Sequence, residues 1–556
     1  MRWSNRGPLG CTLGLLIGAL LLAGEGIAMS DQETLCNGIR LPSPWPPRDV
    51  QLSRQPMPLP PHVASPPSVI PIDVGRQLLV DNFLVETTTL RRVFHAAKYY
   101  TDNPVLKPDQ PWEQADGPTA MVFSDGVFYD PAEHLFKMWY MGGYIKSTCY
   151  AFSRDGVHWE KPVLDVVPGG TNIVDTTGRD SATVWLDLEE KDPRRRYKMV
   201  VYSYPEGAGA LSVFFSDDGI HWGRPVARTG PCGDRTTVFW NPFRRVWVYS
   251  LREYLPAGGV GRCRRYWETA DLAADARWKS GEPPLWVGAD DLDPRRPDLD
   301  IPCELYNLDC VAYESVLLGL FSLWRGQPPD RAKPNEVLVG FSRDGFHWDR
   351  PSREAFIPVS ERYGDWNWGN VQSAGGCCLV VGDKLYFYVS GRAGVPGSAK
   401  SGVSCTGLAV LRRDGFASLD AGNKWGSLTT RPVCFSGKYL FVNVAAKGGE
   451  LRVEILDENG QPVEPFTREN CAPISADSTI RGVGWHSVED LSSLASKPLR
   501  FRFHLRGGSL YSFWVSPERS GVSRGYVGAG GPGFEGPVDT VGIGAYSAAA
   551  EIRPWG

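Results

Sequence analysis

Ser153-Arg-Asp-Gly-Val-His-Trp159, Ser216-Asp-Asp-Gly-Ile-His-Trp222 and Ser342-Arg-Asp-Gly-Phe-His-Trp348 are near-copies of one heptapeptide, each followed three residues later by Pro162, Pro225 or Pro351. The aspartates of the first two copies lie 63 residues apart, and the next interval is 126. The doubled gap has room for one degenerate copy, which Thr269-Ala-Asp-Leu272 with Trp278 supplies. A fifth copy, Arg412-Arg-Asp-Gly-Phe416, arrives 70 residues after Asp344. Self-similarity at a fixed period is the mark of a repeat architecture. Apolar runs of strand length precede the copies, as at Leu135–Met141 and Tyr197–Ser203, with no sustained 3.6-residue period. Asp-Gly then supplies the turn, and an aromatic pair opens the next strand. Units of about 60 residues with this grammar fit four-stranded blades, so the expected fold is all-β, a five-bladed β-propeller. The turn residues are expected to be structural: Asp and Gly shape the turn, Trp packs between sheets, and His158, His221 and His347 are neither ligands nor bases.

Outward from the repeat the pattern changes at both ends. Residues 75–424 hold the propeller, beginning with the strand-like run Arg76–Val85. After it, Tyr439–Val444, Leu451–Ile455, Leu499–Leu505 and Leu510–Val515 alternate as strands joined by polar turns, which predicts a β-sandwich over 425–515. Eleven prolines between Pro42 and Pro71 make residues 29–74 an expected extended linker. Gly, Ser, Pro and Ala dominate residues 516–556, an expected mobile tail. Residues 1–28 read as a signal peptide: Arg2 and Arg6, the apolar run Thr12–Gly24, then the small residues Gly26 and Ala28. The expected location is therefore secreted or periplasmic, with no membrane span after cleavage because no other run is long and apolar enough.

Of the 556 residues, 59 are basic and 63 acidic, for a net charge of -4, and no long basic run tracks a phosphate backbone, so nucleic acid is not an expected partner. The aromatic share of 12% suits both strands and sugar-stacking surfaces. No phosphate-binding glycine motif stands between a strand and a helix, so no organic cofactor is expected. Asp290, Asp291, Asp293, Asp298 and Asp300 are read as a solvated acidic loop, with structural calcium as the alternative. Cys377 and Cys378 are read as buried thiols in an apolar strand, and Cys303 and Cys310 lack zinc-like spacing.

In a propeller the innermost strands begin around one central funnel, so residues at those starts converge in space. Counting back from each turn, the starts carry Asp116-Gly-Pro118, Arg179-Asp180, Asp234-Arg235-Thr236, Glu304-Leu-Tyr306-Asn307 with Asp309, and Trp366-Asn-Trp368-Gly-Asn370 with Gln372. Asp116, Asp180 and Asp234 stand 64 and 54 residues apart, a blade interval. Carboxylates crowded in an aromatic-lined funnel suit glycosidic cleavage, which needs one protonated acid and one carboxylate as base or nucleophile. Asp116, Asp180 and Glu304 are the expected catalytic carboxylates. Trp112, Asp234, Tyr306, Asp309, Glu314, Trp366, Trp368 and Gln372 are expected around the substrate. Arg179, Arg235 and Arg252 would temper the acids or grip a sugar carboxylate or phosphate.

With Asn103-Pro-Val-Leu106, Trp112, Asp116-Gly-Pro118, Lys137-Met-Trp-Tyr140 and the Ser-x-Asp-Gly-x-x-Trp turns, the chain resembles the five-bladed glycoside hydrolases, the superfamily of families 32, 43, 68 and 130. Its layout is similar to family 32, with a β-sandwich beginning at Gly426-Ser-Leu428 and including Leu451-Arg-Val-Glu-Ile-Leu456. That resemblance implies an Asp on the first blade, an Asp after Arg on the second and a Glu acid on the third. Asp116 and Asp180 match. The third blade departs from it, offering Asp234-Arg235, while Glu304 falls at the fourth. With the signal-peptide reading and the carboxylates at equivalent strand starts, the expected function is an exported glycoside hydrolase acting on a plant or algal type poly- or oligosaccharide. The alternatives are a lectin-like propeller that binds sugar without cleaving it, a sialidase-like hydrolase using Tyr306 and the arginines, and a phosphorylase.

Overall fold

The computed structural model describes residues 32–114, 117–204, 209–256, 259–373, 375–376 and 378–551. The signal-peptide reading, Asp116 and Cys377 lie outside the described residues.

Five antiparallel sheets follow one another along the chain. The first is built on Ala120–Asp130, Leu135–Gly142, Ser147–Ser153 and Ile173–Asp175. The second comprises Ala182–Leu186, Tyr197–Ser203, Ala210–Ser216 and Ala227–Pro231, and the third Thr237–Asn241, Val246–Leu255, Gly261–Thr269 and Leu285–Gly288. The fourth runs Glu304–Glu314, Val316–Trp324 and Glu336–Ser342. In the fifth, Asn370–Ser373 and Leu379–Val381 pair with Lys384–Arg392, followed by Ser404–Arg412. The first strands of consecutive sheets pack side by side, and that of the fifth packs against that of the first. Lys98–Tyr99, which precedes the first sheet in sequence, pairs with Ala409–Val410 of the fifth, so backbone hydrogen bonds join the two ends of the repeat. One hydrophobic core runs through all five sheets.

The repeated turns do what their composition requires. Asp155 Oδ1 accepts from the Val157 and His158 amides, Oδ2 meets His158 Nδ1 at 2.7 Å, and Ser153 Oγ closes the turn. Asp218 with His221 and Asp344 with His347 repeat the pattern. Gly219 has φ +78°, and a Cβ there would meet the Trp139 ring at 2.6 Å, so glycine is demanded by both conformation and space. The fifth copy departs. Asp414 accepts instead from Tyr313, Arg76, Asn443 and Ser512, bonds that tie the repeat to a second unit.

That second unit is two antiparallel sheets around a separate hydrophobic core. One contains Asp477–Gly482, Tyr439–Ala445, Gly508–Ser516, Ala417–Ala421 and Arg91–Phe94, and the other Glu450–Leu456, Arg500–Arg506, Gly426–Thr430 and Val85–Thr88. Strands from before the repeat therefore belong here, so a cut at residue 425 does not separate the two cores.

Two expectations about the termini are corrected. The proline-rich segment is a packed strap: Leu35, Ile39, Leu41, Ile70 and Ile72 enter the second core, and Ile70–Pro71 pairs with Val433–Cys434. Farther along, Asn37 Nδ2 donates to Arg343 O, Arg54 Nη1 donates to Cys303 O, and His62 Nδ1 lies 3.2 Å from Asp344 Oδ2. Proline makes the strap extended, but interspersed apolar side chains give it somewhere to bind. The Gly-rich tail packs for the same reason over its described residues. Tyr526–Val527 adds to the fourth sheet beside Tyr313–Glu314, Ala529 donates to Cys378 O, and Gly544–Glu551 is helical. None of the helices among the described residues is long and apolar enough to cross a membrane. The ten described cysteines are all free thiols.

Candidate functional site at the meeting of the five sheets

The site begins with a large bulge in the first sheet. Met121 pairs with Met141 and Gly126 with Trp139, so the four residues Val122–Asp125 stand opposite Tyr140 alone. An insertion of this kind bends a strand and redirects its side chains. Phe123 takes φ 48°, a conformation that bulky side chains rarely adopt. Gly126 has φ +139°, and a Cβ there would stand 2.5 Å from Val184 O, so the neighbouring sheet can close only on glycine.

Three of the four bulge residues, Phe123, Ser124 and Asp125, meet arginines from beyond the first sheet, while the Val122 amide donates to Thr406. Arg179 clasps Asp125 through two parallel hydrogen bonds of 2.6 and 3.0 Å, and also donates to Thr148. Burial nevertheless pushes the Asp125 carboxyl up to about 6, because Arg179 offsets only part of the desolvation. Arg235 Nη2 donates to Ser124 Oγ at 3.0 Å, and its guanidinium lies 3.5 Å from the centre of the Phe123 ring. Arg392 flanks the same ring at 5.9 Å.

Asp309, fully buried, receives Ser373 Oγ at 2.5 Å and Asn307 Nδ2 at 2.6 Å. Burial raises its carboxyl, opposed chiefly by Arg235. Arg264 donates to the carbonyls of Arg235 and Tyr306. Burial, reinforced by repulsion from Arg235, brings its guanidinium down to about 9. Burial alone would raise the Tyr306 phenol, but Lys333 Nζ, 2.8 Å from its Oη, and then Arg392 and Arg235 bring it below the usual tyrosine value.

The structure brings together a large part of the residues expected here. Asp180 is half-buried, and its Oδ1 has no hydrogen-bond partner among the described residues. Burial raises its carboxyl, against the pull of Arg235 and with the added push of Asp234. Asp234 lies 3.4 Å from Arg252 Nε. Glu304 accepts from Arg262, whose guanidinium sits 5.5 Å from the Tyr306 ring centre, placing it at the edge of the group. Gln372 donates to Asn370 and leaves its Oε1 unpartnered.

Four expected residues are engaged elsewhere. Trp112 donates to Asn172 in the first sheet. Trp366 packs edge-on against Tyr99 and fills the space above Gly391 and Gly407, while Trp368 is covered by Arg331. Glu314 is at the opposite end of the strand from Glu304, which at about 3.3 Å per residue is some 30 Å away. There it joins a second buried charge cluster with Arg76, Arg413, Asp414 and Asp539. In the acidic loop, Asp290 and Asp293 are not solvated but bound to Arg350 and Arg353.

Asp125, Arg264, Lys333 and Arg392 escaped the reading of strand starts. The signal for Asp125 was present: glycine inside an apolar strand, as in Ser124-Asp125-Gly126, commonly marks a bulge. The other three sit within or beyond later strands and carry no local signature.

The fold and site define an all-β chain with a charged, aromatic centre shared by five sheets. Among solved structures the chain is similar to several at low identity. A thermostable family-43 glycoside hydrolase shares 13% identity over 55% of this chain and 94% of its own, with a TM-score of 0.38. An N-acetylgalactosamine deacetylase from F. plautii, solved with blood group B trisaccharide, shares 13% over 59% and 96%, with a TM-score of 0.35. A fructofuranosidase from Schwanniomyces occidentalis, complexed with fructose, shares 12% over 75% and 97%, with a TM-score of 0.34. No family model and no curated protein matches the sequence.

Proposed function

We propose that the five sheets are the blades of a β-propeller, that the two-sheet unit is an attached β-sandwich, and that the protein is an exported glycoside hydrolase. The observation that carries the reading is Asp180: a half-buried carboxyl with an unpartnered oxygen, a raised proton affinity and Asp234 beside it. A carboxyl whose proton affinity is raised by burial is suited to deliver a proton to a departing glycosidic oxygen. The water or enzyme nucleophile then attacks the anomeric carbon from the opposite face. Asp116, one blade interval earlier, is the proposed partner carboxylate, and Glu304 at the edge orients substrate through Arg262. Tyr306, partly exposed, offers a ring surface for the sugar.

A second reading rests on the Lys333–Tyr306 hydrogen bond. A phenol whose ionised form is stabilised by Lys333, Arg392 and Arg235 can itself attack the anomeric carbon. The test is turnover of aryl glycosides and polysaccharides by the wild type and by Asp180→Asn, Asp116→Asn and Tyr306→Phe. We expect Asp180→Asn to lose at least about 100-fold in kcat, the usual scale for an acid catalyst. Tyr306→Phe separates the two readings, since a role in stacking survives loss of the hydroxyl and a nucleophile does not. Saturable glycan binding by the wild type without turnover of any substrate would make the protein a lectin and end the enzymatic reading.

A further inference from the structure

The balance of charge at the five-sheet centre is unusual for a site that would handle neutral sugar. Arg235, Arg264, Arg392 and Lys333 converge there, and none forms an ion pair with a carboxylate among the described residues. Arg264 spends its donors on the Arg235 and Tyr306 carbonyls, and Lys333 on the Tyr306 hydroxyl. Arg235 is 2% exposed, yet among the described residues its Nε and Nη1 have no hydrogen-bond partner, and Arg392, 5% exposed, donates from Nη1 to Ser401 but has no partner at Nε. Asp180, Asp309 and Asp234 offset part of the Arg235 charge through space, without a hydrogen bond to it among the described residues. Asp309 accepts from Ser373, Asn307 and Ser124, all at Oδ2, and Asp180 keeps an oxygen unpartnered.

Buried guanidinium donors without acceptors are costly, because desolvation of a charged group is repaid only by a partner. Arg179 shows the alternative in the same site, where Asp125 satisfies it through a two-pronged contact. Arg235 and Arg392 have no such carboxylate among the described residues, and both flank the Phe123 ring, at 3.5 and 5.9 Å. Their unpartnered donors, set beside the buried Phe123 ring, suit an anionic group.

We propose that the centre is an anion subsite and that the glycan it takes carries a carboxylate or a sulfate ester on the sugar bound beside Arg235 and Arg392. This deepens the glycoside-hydrolase reading and rests on it for the sugar. Arg235 and Arg392 hold the anion, and Lys333, through Tyr306, adds positive charge beside it. No covalent step is involved.

The test is calorimetric binding of three matched oligosaccharide sets to the full-length protein: hexuronic acid oligomers, the same oligomers with the carboxyl reduced to the alcohol, and sulfated neutral oligomers. We expect the uronic or sulfated set to bind about 10- to 100-fold more tightly than its uncharged counterpart, the scale of a charge-assisted contact. The preference of one anion over the other identifies the substituent. Arg392→Gln should bring charged and neutral sugars to within about threefold of each other. Arg392→Lys, which keeps the charge and loses the fork, should retain part of the preference and controls for a folding defect. Equal binding or turnover of neutral sugars by the wild type overturns the anion subsite and leaves the hydrolase reading standing. Binding of inorganic sulfate at the site, lost in Arg392→Gln, with no binding of any glycan, supports the subsite and overturns the hydrolase reading.

Discussion

Asp218 accepts the amides of Ile220 and His221 and faces the His221 ring, and these bonds outweigh partial burial to bring its carboxyl down to about 2. Asp344, buried between His347 and His62, is lowered further, and Asp155 is lowered for the same reasons. A folded-state value below the ordinary 3.8 means that the unfolded chain binds more protons as acid is added. The stability from these turns is therefore complete above about pH 4 and is lost as pH falls from there through about 2. Melting temperatures measured across that range should fall steeply for the wild type and less steeply for Asp344→Asn, which is already destabilised at neutral pH. A slope unchanged by the substitution would remove this turn from the acid response. The heptapeptide was readable as structural because Asp, Gly and Trp recur where no chemistry requires the same residue in every unit. Its histidines hold the turn aspartates, as such a reading expects.

The bulge at Val122–Asp125 is the element on which the site depends. It turns Phe123 toward two arginines, Ser124 toward Arg235 and Asp125 toward Arg179. Gly126 ends it in a left-handed conformation against Val184 O. Gly126→Ala combines that strained φ with a backbone clash and should cost about 2 kcal/mol or more in urea denaturation, with weaker glycan binding. Normal stability with normal binding would show that the bulge can relax without disturbing the site. Pattern reading recovered the strands on either side of this element but not its geometry. Periodicity reports which face of a strand is apolar, and a bulge changes face through backbone pairing with a partner strand.

Across the whole molecule, the repeat and the two-sheet unit are held together by Arg76, Arg413, Glu314, Asp414 and Asp539, with Arg76 and Arg413 completely buried. Arg76 comes from before the repeat, Glu314 from its fourth sheet, Asp414 from the fifth turn and Asp539 from the tail. Arg76→Met leaves Glu314 and Asp414 short of a counter-charge in a dry interface. It should destabilise the protein by about 3–5 kcal/mol, read by chemical denaturation with fluorescence from the 20 tryptophans. A loss below about 1 kcal/mol would mean that the remaining arginine carries the pair of carboxylates alone.

Sequence by itself determined the all-β class, the number of repeat units, their turns and the position of Asp180 beside Arg179, because these depend on local conformational preference and on spacing along the chain. Tertiary structure alone decided three other matters. It gave the proline-rich strap and the glycine-rich tail their packing, since burial there depends on surfaces supplied by distant strands. It separated Glu314 from Glu304, since the two ends of one strand face different neighbours. It also assembled Arg235, Arg264, Arg392 and Lys333 around Phe123 and Tyr306. No interval in the sequence marks that convergence, because it follows from the ring-like contact of five sheets and from one bulge that turns a strand inward.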